Sequence, residues 1–130
     1  MTFNRKILAT SVALATATLM ATGAQAQMSD DAVRIGSLAD MSGTYRGLAG
    51  PGGLAALEMA IEDFGGEVNG APIEVFSADD RNSADVGANT VREWFDTRNV
   101  DLVAGLVASS VSIAATKVIE ENDGLGIVSG

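Results

Sequence analysis

The residues best placed to do chemistry in this chain are two hydroxyls, Ser109-Ser110. They follow an apolar run, Leu102 to Val107, and precede a helical pattern. A serine between a strand and a helix brings its hydroxyl, backbone N–H groups without intrahelical acceptors and the positive end of the helix dipole to one point. That combination suits an anion such as a carboxylate. The same serine can instead be only an N-cap, which contributes about 1 kcal/mol and needs no ligand. The residues alone leave the two roles open, with capping the simpler role for Ser110. Tyr45 stands in a long polar, glycine-rich loop, where it offers a small solute an apolar wall and a polar tip.

Other chemistry has less support. Asp79-Asp80 could hold a metal or act as an acid/base pair, but adjacent strand residues point to opposite faces, so turn capping or hinge contacts are expected there. Gly50-Pro51-Gly52-Gly53-Leu54-Ala55 satisfies G-x-G-x-x-A formally. A dinucleotide fingerprint must follow its strand at once, whereas a long loop separates this one from Leu38, and close packing at a helix start explains the glycines better. The chain has neither His nor Cys and no G-x-S-x-G elbow, so the usual base, thiol and serine nucleophile are missing. No enzyme, no metal and no cofactor is expected.

The elements that must position Ser109 and Tyr45 can be read from periodicity. Val33 to Leu38 suits a first strand. Leu54, Leu57, Ile61 and Phe64 share one helical face until Gly65-Gly66 stops the helix. Asn69-Gly70 makes a turn, and Pro72 opens a second strand running to Ala78. Asn82 or Ser83 caps a second helix with Ala84, Ala88, Val91, Trp94 and Phe95 on its apolar face. Asp101 to Val107 gives a third strand, whose apolar run predicts cover on both faces. Ser109 or Ser110 opens a third helix with Val111, Ala115, Val118 and Ile119 inward, and Leu125 to Val128 begins a fourth strand. The order β-α-β-α-β-α-β with short connections predicts an α/β fold, a parallel doubly wound sheet with helices on both faces. Ligands of such sheets bind outside the carboxyl ends of the strands, which here carry the loops Ala39 to Gly53, Asp79 to Asn82 and Ala108 to Ser110.

Fold reasoning starts only after residue 26. Arg5 and Lys6 precede an acid-free apolar run, Ile7 to Met20, and a small-residue stretch ending Ala24-Gln25-Ala26. That is the order of a secretory signal peptide, expected to occupy residues 1–26 and to be cleaved before Gln27. The run is shorter than the roughly 18 residues of a spanning helix, so a soluble periplasmic product without membrane insertion is expected. Without cysteine its stability must come from a hydrophobic core, for which 47% hydrophobic residues provide. The net charge of −9 becomes more negative once Arg5 and Lys6 are removed, which disfavours nucleic acid and anionic lipid as partners. With no helix after the fourth strand, residues 27–130 read as a truncated domain.

Three segments together resemble the leucine/isoleucine/valine-type periplasmic binding proteins, which have the two-lobed type I periplasmic binding fold. They are Arg34-Ile35-Gly36-Ser37-Leu38-Ala39-Asp40-Met41-Ser42-Gly43, Ala60-Ile61-Glu62-Asp63-Phe64-Gly65-Gly66-Glu67-Val68-Asn69-Gly70 and Val103-Ala104-Gly105-Leu106-Val107-Ala108-Ser109-Ser110. The resemblance covers nearly all of residues 27–130 and implies an incomplete first lobe, the second lobe being absent. Asp40-Met41-Ser42-Gly43 with Ala49-Gly50-Pro51-Gly52 is similar to a branch that includes importers of aromatic acids and other small carboxylates. The resemblance implies an ABC transporter substrate-binding protein that captures a small carboxylated solute, a branched-chain amino acid or an aromatic acid, and docks on a membrane permease. It also implies that Ser109 binds the solute carboxylate. The same fold would serve the extracellular sensor domain of a receptor, which a transmembrane helix and signalling domain downstream would reveal. A secreted Rossmann enzyme is a third reading, which retention of a nicotinamide dinucleotide would favour.

Overall fold

The structure is a computed structural model, and it describes residues 30–130. The proposed signal peptide lies outside the described residues. The elements run β1 (Val33–Ala39), α1 (Arg46–Ala49), α2 (Pro51–Phe64), β2 (Glu67–Val68), β3 (Ala71–Asp79), α3 (Ala84–Arg98), β4 (Leu102–Leu106), α4 (Ser109–Glu121) and β5 (Leu125–Val128). They form one five-stranded sheet in the order β2-β3-β1-β4-β5.

The strands joined through helices, β1, β3, β4 and β5, are all parallel, as crossover connections require. The expected doubly wound α/β architecture is therefore present, with one addition. The turn at Asn69-Gly70 closes a two-residue antiparallel hairpin in which Val68 faces Ala71, so the sheet is mixed at that edge. Strand order reverses at β1, with β3 on one side and β4 on the other. Right-handed crossovers then put α2 on one face and α3 and α4 on the opposite one.

The core lies under α3 and α4. Leu38 of β1, Val103 and Leu106 of β4, Val91 and Trp94 of α3, and Val111, Ala115, Val118 and Ile119 of α4 form a single buried cluster. Apolar spacing on the two helices had placed these side chains inward. Trp94 lies flat against β1 because Gly36 leaves it room; a Cβ on Gly36 would overlap the indole ring. At the amino end of β1, Arg34 N–H donates to the Asp101 carboxylate at 2.8 Å and Asp101 N–H donates to Arg34 O at 2.9 Å, while the Arg34 guanidinium pairs with Asp30 at 2.7 Å and Glu74 at 3.1 Å.

The other face is thinner than expected. No residue of α2 is buried, and Phe64 at its end is 67% exposed. The anticipated apolar face is thus only half covered: Leu54, Leu57 and Ile61 approach the sheet while Phe64 does not. In β4 only Val103 and Leu106 are buried, so the run from Leu102 is covered fully on one face and partly on the other, because the α3 and α4 layer has no equal opposite β4. Among the described residues no helix is long and apolar enough to cross a membrane.

Candidate functional site

The parallel strands β1, β3 and β4 all end at one edge of the sheet, and three loops leave from it. Ala39 pairs with Asp79, which sets the first two loops side by side, and Ser37 pairs with Ala104, which brings the β4 loop to the other flank of β1. Gly105 makes the last approach possible. Its φ is +87°, and a Cβ there would lie 2.9 Å from the Leu38 carbonyl oxygen. The resulting irregularity between Val103 and Leu106 turns the chain into the serine pair.

The serines are not caps. The N-cap of α4 is Ala108, with no side-chain cap, and Ser109 and Ser110 are the first two helical residues. The first helical hydrogen bond runs from Ser112 N–H to Ala108 O at 2.8 Å, which leaves the N–H groups of Ser109, Ser110 and Val111 without protein acceptors. Both serines are exposed. The Ser112 hydroxyl is buried and donates to Ala108 O at 3.0 Å. The capping role expected of Ser109 or Ser110 is therefore overturned: the extended Ala108 takes the N-cap position, and the two serines follow it one and two positions inside the helix. On α3 the expectation resolves to Ser83, whose Oγ accepts from Val86 N–H.

Ser109 also opens a groove of about 490 Å³ between α4 and β5. Its lining continues through Ser112, Ile113, Thr116, Lys117 and Glu120 to Val128 and Gly130. Neither Ser110 nor Tyr45 reaches it. Sequence reading had concentrated on the apolar stripe of α4 and passed over the one beside it, although spacings of three and one from Ser109 to Glu120 mark a single helical face.

Tyr45 belongs to the same sheet edge but to the β1 loop. It is the N-cap residue of the four-residue α1, and its side chain is 37% exposed. Three aspartates fix that loop and the β3 loop beside it. Asp40 accepts from Gly43 N–H at 2.6 Å and Tyr45 N–H at 2.9 Å. Asp79 accepts from Met41 N–H at 3.0 Å, Ser42 Oγ at 2.6 Å and Arg81 N–H at 2.9 Å. Asp80 accepts from Asn82 N–H at 2.7 Å and is only 1% exposed. One oxygen from each of the three lies within 4.8 Å of the others.

The two adjacent aspartates do not diverge as strand alternation predicted. Asp79 is the last residue of β3, and Asp80, beyond it, is free of the pleat and swings toward Asp40. Their contacts are the expected loop-capping ones. The hydroxyl of Ser42, then the Met41 N–H, hold the Asp79 carboxyl below the ordinary carboxylate range. Burial, followed by the charges of Asp40 and Asp79, pushes Asp80 above it, against the bond from Asn82 N–H. Asp40, which organises Tyr45, was passed over in the sequence because a lone aspartate after a strand carries no spacing signal.

Close packing at the start of α2 demands a glycine at one position only. A Cβ on Gly50 would lie 2.7 Å from Arg46 O and 2.8 Å from Asp40 O, whereas Gly52 faces open space. The formal dinucleotide fingerprint thus starts at the junction of α1 and α2, separated from β1 in sequence by the whole first loop and α1.

Comparison with known proteins gives the fold its relatives. A family model described as periplasmic binding protein matches residues 32–129. The chain is similar to a crystal structure of a periplasmic binding protein from Burkholderia mallei, with 45% identity and a TM-score of 0.75 over 77% of this chain and 27% of that one. A branched-chain amino acid ABC transporter periplasmic ligand-binding protein from Burkholderia xenovorans is 35% identical, with a TM-score of 0.68 over 74% of this chain and 26% of that one. An ABC transporter solute-binding protein from Rhodopseudomonas palustris, solved in complex with benzoate, is 28% identical, with a TM-score of 0.68 over 75% of this chain and 27% of that one. The chain thus spans about a quarter of the length of these structures. Among curated proteins none matches.

Proposed function

The chain belongs to the periplasmic binding protein family, and from that premise we propose that it supplies one wall of a solute site in an ABC importer. In this reading it works in the periplasm after loss of residues 1–26, binds a small carboxylated solute at the carboxyl edge of its sheet, and passes it to a membrane permease. The observation that carries the reading is the start of α4. Three backbone N–H groups and the Ser109 hydroxyl are left without protein partners there, at the sheet edge where strand order reverses.

The α4 dipole and these donors favour a carboxylate over a neutral or cationic group. Tyr45, held by Asp40 through its backbone, stands in a loop leaving the same sheet edge and would supply surface for an apolar body. The benzoate bound by one similar protein and the branched-chain amino acids in the name of another combine a carboxylate with an apolar body. The family and its solved members are solute-binding proteins, so binding rather than catalysis is the activity assigned.

Calorimetric titration of the purified chain with leucine, isoleucine and benzoate tests the proposal. Binding of at least one carboxylate, lost with its amide or alcohol analogue, is the expected result. Ser109→Ala should weaken it by about 1.5–3 kcal/mol, the worth of a hydrogen bond to a charged group, which is roughly tenfold or more in Kd. Equal binding of acid and amide, or an unchanged Kd in the variant, would remove Ser109 from the site. No heat with any carboxylate would count against solute capture by this wall.

A further inference from the structure

We propose that Asn69 is a site of self-modification, where the chain converts its own asparagine to isoaspartate and aspartate with water as the only co-reactant. Asn69 and Gly70 are the two exposed residues between β2 and β3, both at positive φ, +52° and +88°. No hydrogen bond engages the Gly70 N–H, and the space around its α-carbon is open on the side where a side chain would stand. The reaction needs an exposed amide, a following nitrogen free of hydrogen bonds and little bulk beside it. The Gly70 nitrogen, deprotonated by solvent base, attacks Cγ of Asn69; a C–N bond closes a succinimide ring and the side-chain nitrogen leaves as ammonia. Water then opens the ring. Cleavage at the main-chain carbonyl gives isoaspartate, and cleavage at the side-chain carbonyl gives aspartate.

The other described asparagines lack at least one requirement. The nitrogen after Asn82 belongs to Ser83 and donates to Asp80 O at 2.9 Å. Asn89 and the residue after it lie inside α3. Asn99 precedes the β-branched Val100, whose N–H is directed at Trp94 O. Asn122 has its own amide pinned to Val118 O at 2.8 Å. The related pair Asp123-Gly124 is blocked too, because Gly124 N–H donates to Ile119 O at 2.9 Å. Only at Asn69 do exposure, a following glycine and an unengaged nitrogen coincide. The hairpin can also flex at little cost, since β2 has two residues and pairs with β3 alone.

The product changes the sheet edge. Isoaspartate inserts a methylene into the main chain of a two-residue turn and adds a negative charge beside Glu67, so Val68 and Ala71 lose register and β3 becomes the edge strand.

Peptide-resolved mass spectrometry of the purified chain held at mildly alkaline pH tests the assignment. The expected result is conversion at Asn69 first, several-fold faster than at any other asparagine, accelerating as pH rises and yielding isoaspartate as the main product. Asn69→Gln should suppress the early acidic isoform while the circular dichroism spectrum stays unchanged. First conversion at Asn82, Asn89, Asn99 or Asn122 would overturn the proposal. So would a folded chain that keeps its Asn69 amide while the urea-unfolded chain converts, or no conversion in either state.

Discussion

At the scale of the residue, two neighbouring aspartates respond to protons in opposite ways. Asp79 holds its proton less readily when folded than when unfolded, so its contribution to stability is complete above the ordinary carboxylate range and is lost as pH falls through the lowered folded value. Asp80 behaves inversely. Its folded value is raised, so its contribution is greatest below the ordinary range and is lost as pH rises through the raised value. Asp79→Asn should therefore lower Tm at neutral pH and flatten the acid limb of a Tm-against-pH curve. Asp80→Asn keeps an acceptor for Asn82 N–H, removes a buried charge, and should hold or raise Tm at neutral pH. A lower neutral Tm in Asp80→Asn would show that its ionised form is structurally required. The residue scale is also where the sequence was least complete. It pointed to the edge loops and to Ser109 through residue type and position after a strand. It could not show that Ala108 takes the N-cap, since an Ala-Ser-Ser string leaves three starting points for the helix. Nor could it show Asp40 gripping two N–H groups, which depends on a loop conformation with no periodicity.

At the scale of the element, periodicity worked where an element is long and has one buried face. Val91 and Trp94 of α3 and the stripe of α4 are buried as their spacing implied. It failed for elements of about a single period, α1 with four residues and β2 with two, which are too short to show a repeat. For α2 it identified an apolar side but not how fully that side is covered, because spacing describes a helix and not its neighbours. The contact between α3 and β1 makes a sharp test of packing. Gly36→Ala should destabilise by about 1–3 kcal/mol, since the new methyl meets the buried Trp94 ring. Urea unfolding would measure it. A smaller aromatic, Trp94→Phe, should cost less in the Gly36→Ala background than in the parent chain, and additive costs would separate the two positions.

At the scale of the whole molecule, charge and an open edge oppose each other. All four residues of β5 are exposed, with Leu125 67% accessible, and the strand pairs on one side only. A free apolar edge invites pairing with another chain, while a net charge of −9 keeps copies apart. Screening should tip the balance: sedimentation velocity is expected to show self-association increasing with salt, and Ile127→Lys should reduce it. Association that is indifferent to both would locate the contact elsewhere.

The position of β1 has a further consequence for how the chain comes into being. The strand made first lies in the middle of the finished sheet and borders only strands made later: Val33 meets Ile73, and Ile35 meets Leu102. During synthesis it must wait, unpaired, until some forty residues more have emerged, and stays open on its second side until Leu102 follows. Closing such distant pairings is slow. A nascent chain built in this order remains threadable for much of its time on the ribosome, a property that would serve the proposed passage to the periplasm.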